Sequence, residues 1–211
     1  MRQTAGMPAD VAADVRIHPV TAQRWDDLRV LLAPRDEGGD ACWCLAWRLP
    51  SGEFGRLPGP GREDRLHELV AGTVPPGLIA YVDGEPAGWC NVGPRAAMHR
   101  LARSTTIRPV DDLPVWSVVC FVVRTGYRRR GLAEELLHEA VAFAAAHGAP
   151  AVEGYPVETG GARLSTSLAY VGTTGMFERA GFTRLAATDA TSAGRPRWVM
   201  RRDLTGTAPR A

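Results

Sequence analysis

Arg128, Arg129 and Arg130 stand directly before Gly131 in a short basic turn, and the chemistry of that set is anion binding. Guanidinium forks match phosphate oxygens in pairs, and a glycine lets an oxyanion approach the main chain. The flanking residues make the turn more than a charge cluster. Val115–Val123 (VWSVVCFVV) is an apolar, β-branched run about as long as one buried strand. After Gly131, the residues Leu132, Leu136, Leu137, Ala140, Val141 and Ala144 recur at helical spacing, which predicts a helix with one face on the sheet. A strand that runs through such a turn into a helix start presents unpaired first-turn N–H groups and the positive end of the helix dipole.

Two familiar phosphate loops do not fit. A P-loop needs a lysine, and the chain contains none; a dinucleotide fold needs GxGxxG, which is absent. A net charge of +2 gives no case for nucleic acid or a membrane surface as partner. No apolar run has the length of a membrane span, and residues 1–15 lack the apolar core of a signal peptide, so the expected location is cytoplasmic. Cys42, Cys44, Cys90 and Cys120 are expected as free thiols there. Cys42-x-Cys44 lacks the spacing and the second pair of a structural zinc site, so no metal is expected.

The elements around the basic turn follow from periodicity and punctuation. Residues 1–14 read as a disordered arm, 15–203 as a single domain, and 204–211 as a tail. Val15–Val20 reads as a strand. Thr21 is placed to cap a helix to about Ala33, with Trp25, Leu28, Leu31 and Leu32 on one face. Residues 34–61 are rich in Gly and Pro yet carry Cys42, Trp43, Cys44, Leu45, Trp47 and Phe54, so they cover something or are covered. Arg62–Ala71 reads as a second helix. Leu78–Val82 and Ala87–Val92 form a hairpin across Asp83-Gly84. Residues 95–114 are an insertion with a short helix and a loop. Ala151–Val157 reads as the next strand, with Gly148 closing the helix before it. A Gly/Ser/Thr link over 159–167 leads to a helix at Tyr170–Ala180. Phe182–Ala187 and Arg197–Arg201 pair across a long polar loop.

The motif Arg128-x-x-Gly131-x-Ala133, set between this strand and helix and followed by FERAGF at 177–182, resembles the pyrophosphate loop of the GNAT (N-acetyltransferase) superfamily, whose pattern is (Gln/Arg)-x-x-Gly-x-(Gly/Ala). The element order matches as well, over roughly residues 15–203. The resemblance implies an α/β fold with a mixed sheet, splayed between the Val115–Val123 strand and Ala151–Val157, with acetyl-CoA in the gap. It implies that the backbone of Phe121, Val122 and Val123 holds the pantetheine arm. It also implies that Arg128, Arg129, Arg130, Gly131, Leu132 and Ala133 hold the pyrophosphate. The activity implied is direct acetyl transfer to a primary amine. A small-molecule acceptor is the first reading, a peptide or protein amine the second, and a silent acyl-CoA sensor the third. A homodimer is a family-level expectation.

Where relatives often carry a base Glu on the core strand, this chain has Ser117, suited to ordering a water. Where they often carry an acid Tyr, it has Phe177. Tyr170 and Glu153 are the replacement candidates for catalysis. Tyr155, which shares a strand face with Glu153, joins Glu158, His99, Asp111 and Asp112 as a further option. Cys120 as an acetylated nucleophile is disfavoured by its apolar neighbours. The acceptor pocket is expected from Trp43, Trp47, Trp89, Ser117 and Tyr155, with Trp116 nearby. Arg95, Arg100, Arg103 and Arg108 read either as a solvated face or as a binder of an acceptor's carboxylate or phosphate.

Overall fold

The apolar run is the central strand of a seven-stranded sheet in the computed structural model of the protein, which describes residues 14–34, 36, 39–161 and 169–204. In chain order the elements are β1 Val15–Pro19, α1 Trp25–Leu32, α2 Ser51–Arg56, α3 Gly59–Val70, β2 Gly77–Val82 and β3 Glu85–Pro94. They continue with α4 His99–Ala102, β4 Trp116–Val123, α5 Leu132–Ala146, β5 Ala151–Gly154, α6 Thr174–Arg179, β6 Thr183–Ser192 and β7 Arg195–Asp203. The sheet order is β1-β2-β3-β4-β5-β7-β6, and every neighbouring pair is antiparallel except β4–β5. That parallel pair exists because α5 carries the chain back across the sheet. The expected arm, 1–14, falls outside the described residues except for Asp14, whose N–H donates to Asp83 Oδ1, and most of the tail falls on 205–211, also outside them.

Two cores sandwich the sheet. On one face α5 buries Leu132, Leu136, Leu137, Ala140, Val141 and Ala144 with Phe177 of α6. On the other, Leu28, Leu31 and Leu32 of α1 pack with Leu66 and Val70 of α3 and with Trp43, Leu45, Trp89 and Ile107. Each such large apolar side chain contributes about 1.5–3 kcal/mol by leaving water. The aromatic loop before α2 is pinned by polar contacts as well as by burial. Arg48 donates to Asn91 Oδ1 at 2.8 Å, to Pro76 O at 2.8 Å and to Val92 O at 3.1 Å, while Asn91 Nδ2 donates to Cys44 O at 2.7 Å.

Several boundaries differ from expectation, each for a local reason. Thr21 makes no capping bond; the chain turns through a 3-10 segment, Ala22–Arg24, before α1. Residues 51–56 form α2 within the expected loop, and α3 starts at Gly59, with proline in its first turn where a missing N–H costs nothing. β5 ends at Gly154, not Val157, because Pro156 has no N–H to donate; Val157 makes only single bridges to Thr173 and Arg197. The expected Tyr170–Ala180 helix is broken at Gly172 (φ +77°) into a 3-10 turn, Ala169–Val171, and α6, which Thr173 caps by accepting from Met176 N. The long polar loop before β7 is instead strand: β6 and β7 meet at a two-residue turn, Ala193 and Gly194, both at positive φ. The expected link at 159–167 falls mostly on residues 162–168, outside those described. No helix among the described residues is long and apolar enough to cross a membrane.

Candidate active site

β4 and β5 pair only from Trp116↔Val152 to Val118↔Gly154, and β4 then runs on to Val123 without β5 beside it. The sheet therefore opens at Val119. On the β3 side, Asn91 pairs with Cys120 and Val92 with Val118, so Val119 is an extra residue, a β-bulge, at the mouth of the opening. The bulge puts Val119 and Cys120 both on the α1 face, while Val118 and Phe121 lie on the α5 face. Beyond it, Phe121, Val122 and Val123 offer a strand edge to the gap, and the turn Ala169–Val171 packs along β4 there.

The basic turn closes the wide end of this gap. Arg129 (φ +63°) and Gly131 (φ +81°) both adopt left-handed backbone, folding successive N–H groups around a concavity. A Cβ on Gly131 meets nothing within 4 Å, so the glycine answers to its φ and to an open approach. Glu134 N and Glu135 N donate to Gly131 O, which leaves the N–H groups of Leu132 and Ala133 directed out of the start of α5. The side chains are placed unequally. Arg128 Nε folds back onto Val123 O at 2.8 Å, whereas Arg129 and Arg130 are exposed. The residues fit a diphosphate held mainly by main chain.

At the narrow end lies a buried polar chain. Ser117 and Glu153 are register partners, and Tyr155 joins them: its Oη is 2.8 Å from Ser117 Oγ and donates to Glu153 Oε2 at 3.1 Å. Arg95 Nη1 donates to the same phenol oxygen. Arg201 donates to Glu153 Oε1 at 2.7 Å and grips Asp111 with two bonds of 2.6 and 2.8 Å. Burial pushes the Tyr155 phenol up, with the Glu153 charge adding to it, so the phenol stays protonated. Glu153, Arg95, Asp111 and Arg201 line a cavity of about 380 Å³ roofed by residues 109–115.

The structure thus joins Ser117, Glu153 and Tyr155 in one cluster. It sets Tyr170 apart, on the 3-10 turn beside β4, 37% exposed and close to Arg197. Trp47 is half-buried, with Arg100 5.7 Å and Arg197 5.6 Å from its ring centre. Trp43 and Trp89 are fully buried in the α1-side core, to which Tyr155 also belongs. Phe177 is fully buried against Phe121 and Phe182, so its ring is structural. Cys120 Sγ lies 3.5 Å from Cys44 Sγ in that same α1-side core. Sequence reasoning missed Arg197 and Arg201. A partial signal was present: Arg197 and Arg201 stand at i−2 and i+2 of Val199, so strand alternation puts them on one face with an apolar residue, though Arg195, Arg202 and Asp203 on the same strand mask it.

The sequence matches the acetyltransferase (GNAT) family over residues 43–159. No curated protein matches it. Among solved structures, an acetyltransferase of the GNAT family from Streptococcus pneumoniae aligns at 16% identity and a TM-score of 0.52, covering 90% of this chain and 99% of its own. A Drosophila melanogaster polyamine N-acetyltransferase that forms N-acetylagmatine aligns at 13% identity and a TM-score of 0.52, over 90% of this chain and all of its own. A chain of the NatC complex bound to Gag peptide and CoA aligns at 12% identity and a TM-score of 0.50, over 91% and 99%. At these identities the likeness is one of fold.

Proposed function

The chain belongs to the GNAT family of acetyl-CoA-dependent acetyltransferases, and from that premise we propose that it moves an acetyl group directly to the primary amine of a small molecule. The observation that carries this reading is the opening of the sheet at Val119 with the left-handed Arg129–Gly131 turn at its wide end. Backbone of Phe121, Val122 and Val123 completes its hydrogen bonding on the pantetheine amides. The N–H groups of Arg128–Ala133 hold the pyrophosphate, and Arg129 and Arg130 add charge from the rim.

For the transfer, the amine must lose a proton before its nitrogen attacks the thioester carbonyl. A backbone N–H of β4 polarises that carbonyl. The C–N bond forms as the C–S bond breaks, and the departing thiolate takes a proton. Tyr170, on the turn that packs along β4, gives that proton. Glu153 is the terminal acceptor for the amine's proton, reached through Ser117 Oγ and Tyr155 Oη, and it borders the 380 Å³ cavity through which the proton leaves. Position 117 thus keeps its family role by passing a proton on instead of keeping it. Much of the rate comes from holding the two reactants together.

Thiol release from acetyl-CoA, screened over amino acids, polyamines, aminoglycosides and short peptides, tests the reading. Turnover on a small amine supports it. Turnover on peptides alone moves the acceptor class, and CoA binding without turnover on any amine removes the enzyme.

A further inference from the structure

Arg197 is a buried cation without a counter-charge among the described residues. Its residue is only 4% exposed, and burial pulls its pKa down. Its Nε donates to Tyr155 O at 2.8 Å, and neither Nη group has an acceptor among the described residues. No carboxylate pairs with it among those residues, and its electrostatic neighbours are the phenols of Tyr155 and Tyr170. The segment 162–168 carries no acidic residue. The two Nη groups keep only the small solvent contact that a 4% exposed residue allows, so an anion that reaches them meets a guanidinium with free donors and little competing water.

The place fits an acceptor. Arg197 lies within electrostatic range of Tyr170, on the turn that packs along β4, and its guanidinium sits 5.6 Å from the ring centre of Trp47. Arg100 flanks the same ring at 5.7 Å and is exposed. Two cations on one half-buried indole repel a polyamine and attract an anionic group with an apolar stem.

We propose that the acceptor is an amine that also carries a carboxylate, as an α-amino acid does, with the carboxylate paired to Arg197 Nη1 and Nη2 over Trp47. This rests on the acetyl-transfer reading above and narrows its substrate class. Arg197 is the specificity-determining residue. The fork takes the carboxylate in two parallel bonds, while Nε stays on Tyr155 O and fixes the guanidinium plane. Arg100 draws the anion in from solvent.

The test is calorimetric titration of the CoA-saturated protein with glycine, methionine and phenylalanine, each as free acid and as methyl ester, and with agmatine. Charge-assisted pairing predicts that at least one free acid binds about ten- to hundredfold tighter than its ester. Arg197→Met removes that ratio and leaves CoA affinity unchanged, Arg197→Lys restores part of it, and Arg100→Ala lowers it by a few-fold. Equal affinity for acid and ester in the unaltered protein overturns the proposal even if Arg197→Met fails to fold. So does preference for agmatine, or no binding of any free acid. A protein that does not bind CoA at all removes the reading beneath the proposal as well, and that outcome is read before any amine is added.

Discussion

The hydroxyls of Ser117 and Tyr155 meet at 2.8 Å, from neighbouring segments at the closed end of the sheet's opening, and tie β4 to the end of β5 through side chains as well as through the ladder. Arg95 and Glu153 converge on the same phenol oxygen, so its loss leaves buried groups short of a partner. Tyr155→Phe should therefore cost about 1–3 kcal/mol of stability in urea unfolding. It should also cut kcat about tenfold by interrupting the proton path, with KM for acetyl-CoA unchanged. Glu153→Gln should likewise cut kcat about tenfold, and an unaltered kcat leaves Glu153 as scaffold only.

Phe177 stands where relatives often carry a catalytic phenol, yet restoring the phenol should not help. A Cβ on Gly154 would come within 2.0 Å of Phe177 Cε1 and 2.4 Å of Cζ, so the ring has the strand packed against its tip. Phe177→Tyr should lower stability by about 1–3 kcal/mol by burying a hydroxyl without a partner, with no gain in kcat. Gly154→Ala should be worse, since the clash is with a ring that has no room to retreat. Thermal melts and steady-state rates on both variants check this.

The pyrophosphate turn should depend on backbone more than on side chains. Gly131→Val forces a β-branched residue to φ +81°, which costs about 1–2 kcal/mol, and should weaken acetyl-CoA binding about tenfold. Arg129→Ala and Arg130→Ala should each weaken it about two- to threefold, an effect that fades as salt rises. Calorimetry at two ionic strengths separates the two behaviours.

Acid should release the Asp111 strap. Hydrogen bonds from Arg201 hold the Asp111 carboxyl below the usual carboxylate range. A depressed folded value means stability that is complete above the unfolded value of about 3.9 and disappears as pH falls through the lower folded one. Asp111→Asn should therefore lower the Tm at neutral pH, and the gap to the unaltered protein should close as pH drops below about 4. A Tm series in pH steps reads both limbs.

What could be read in the residues differs from element to element. β4, the basic turn and α5 were legible because apolar continuity, a glycine and helical spacing change over within a few residues. The Asp83-Gly84 hairpin was legible from its turn alone, and both residues sit at positive φ as that dipeptide predicts. The first half of β6 was legible and residues 188–192 were not, since half-buried and exposed positions alternate there but are filled by small and polar residues alike. α2, with two glycines in six residues, hides in the same way. In the site, alternation put Glu153 and Tyr155 on one face, but their meeting with Ser117 is a matter of register between strands, which no single segment encodes. Trp43, Trp47 and Trp89 look alike as letters. Only the fold separates the one flanked by guanidiniums from the two inside the core.

The parting of β4 from β5 leaves Phe121, Val122 and Val123 with an edge that β5 does not pair. On the proposed reading the pantetheine arm pairs with that edge, so binding and completion of the ladder are one event. Each tenfold rise in free acetyl-CoA above its Kd then adds about 1.4 kcal/mol to the protein's resistance to unfolding. A chain whose folded fraction follows its metabolite in this way is spared from degradation when acetyl units are plentiful and exposed to it when they are scarce.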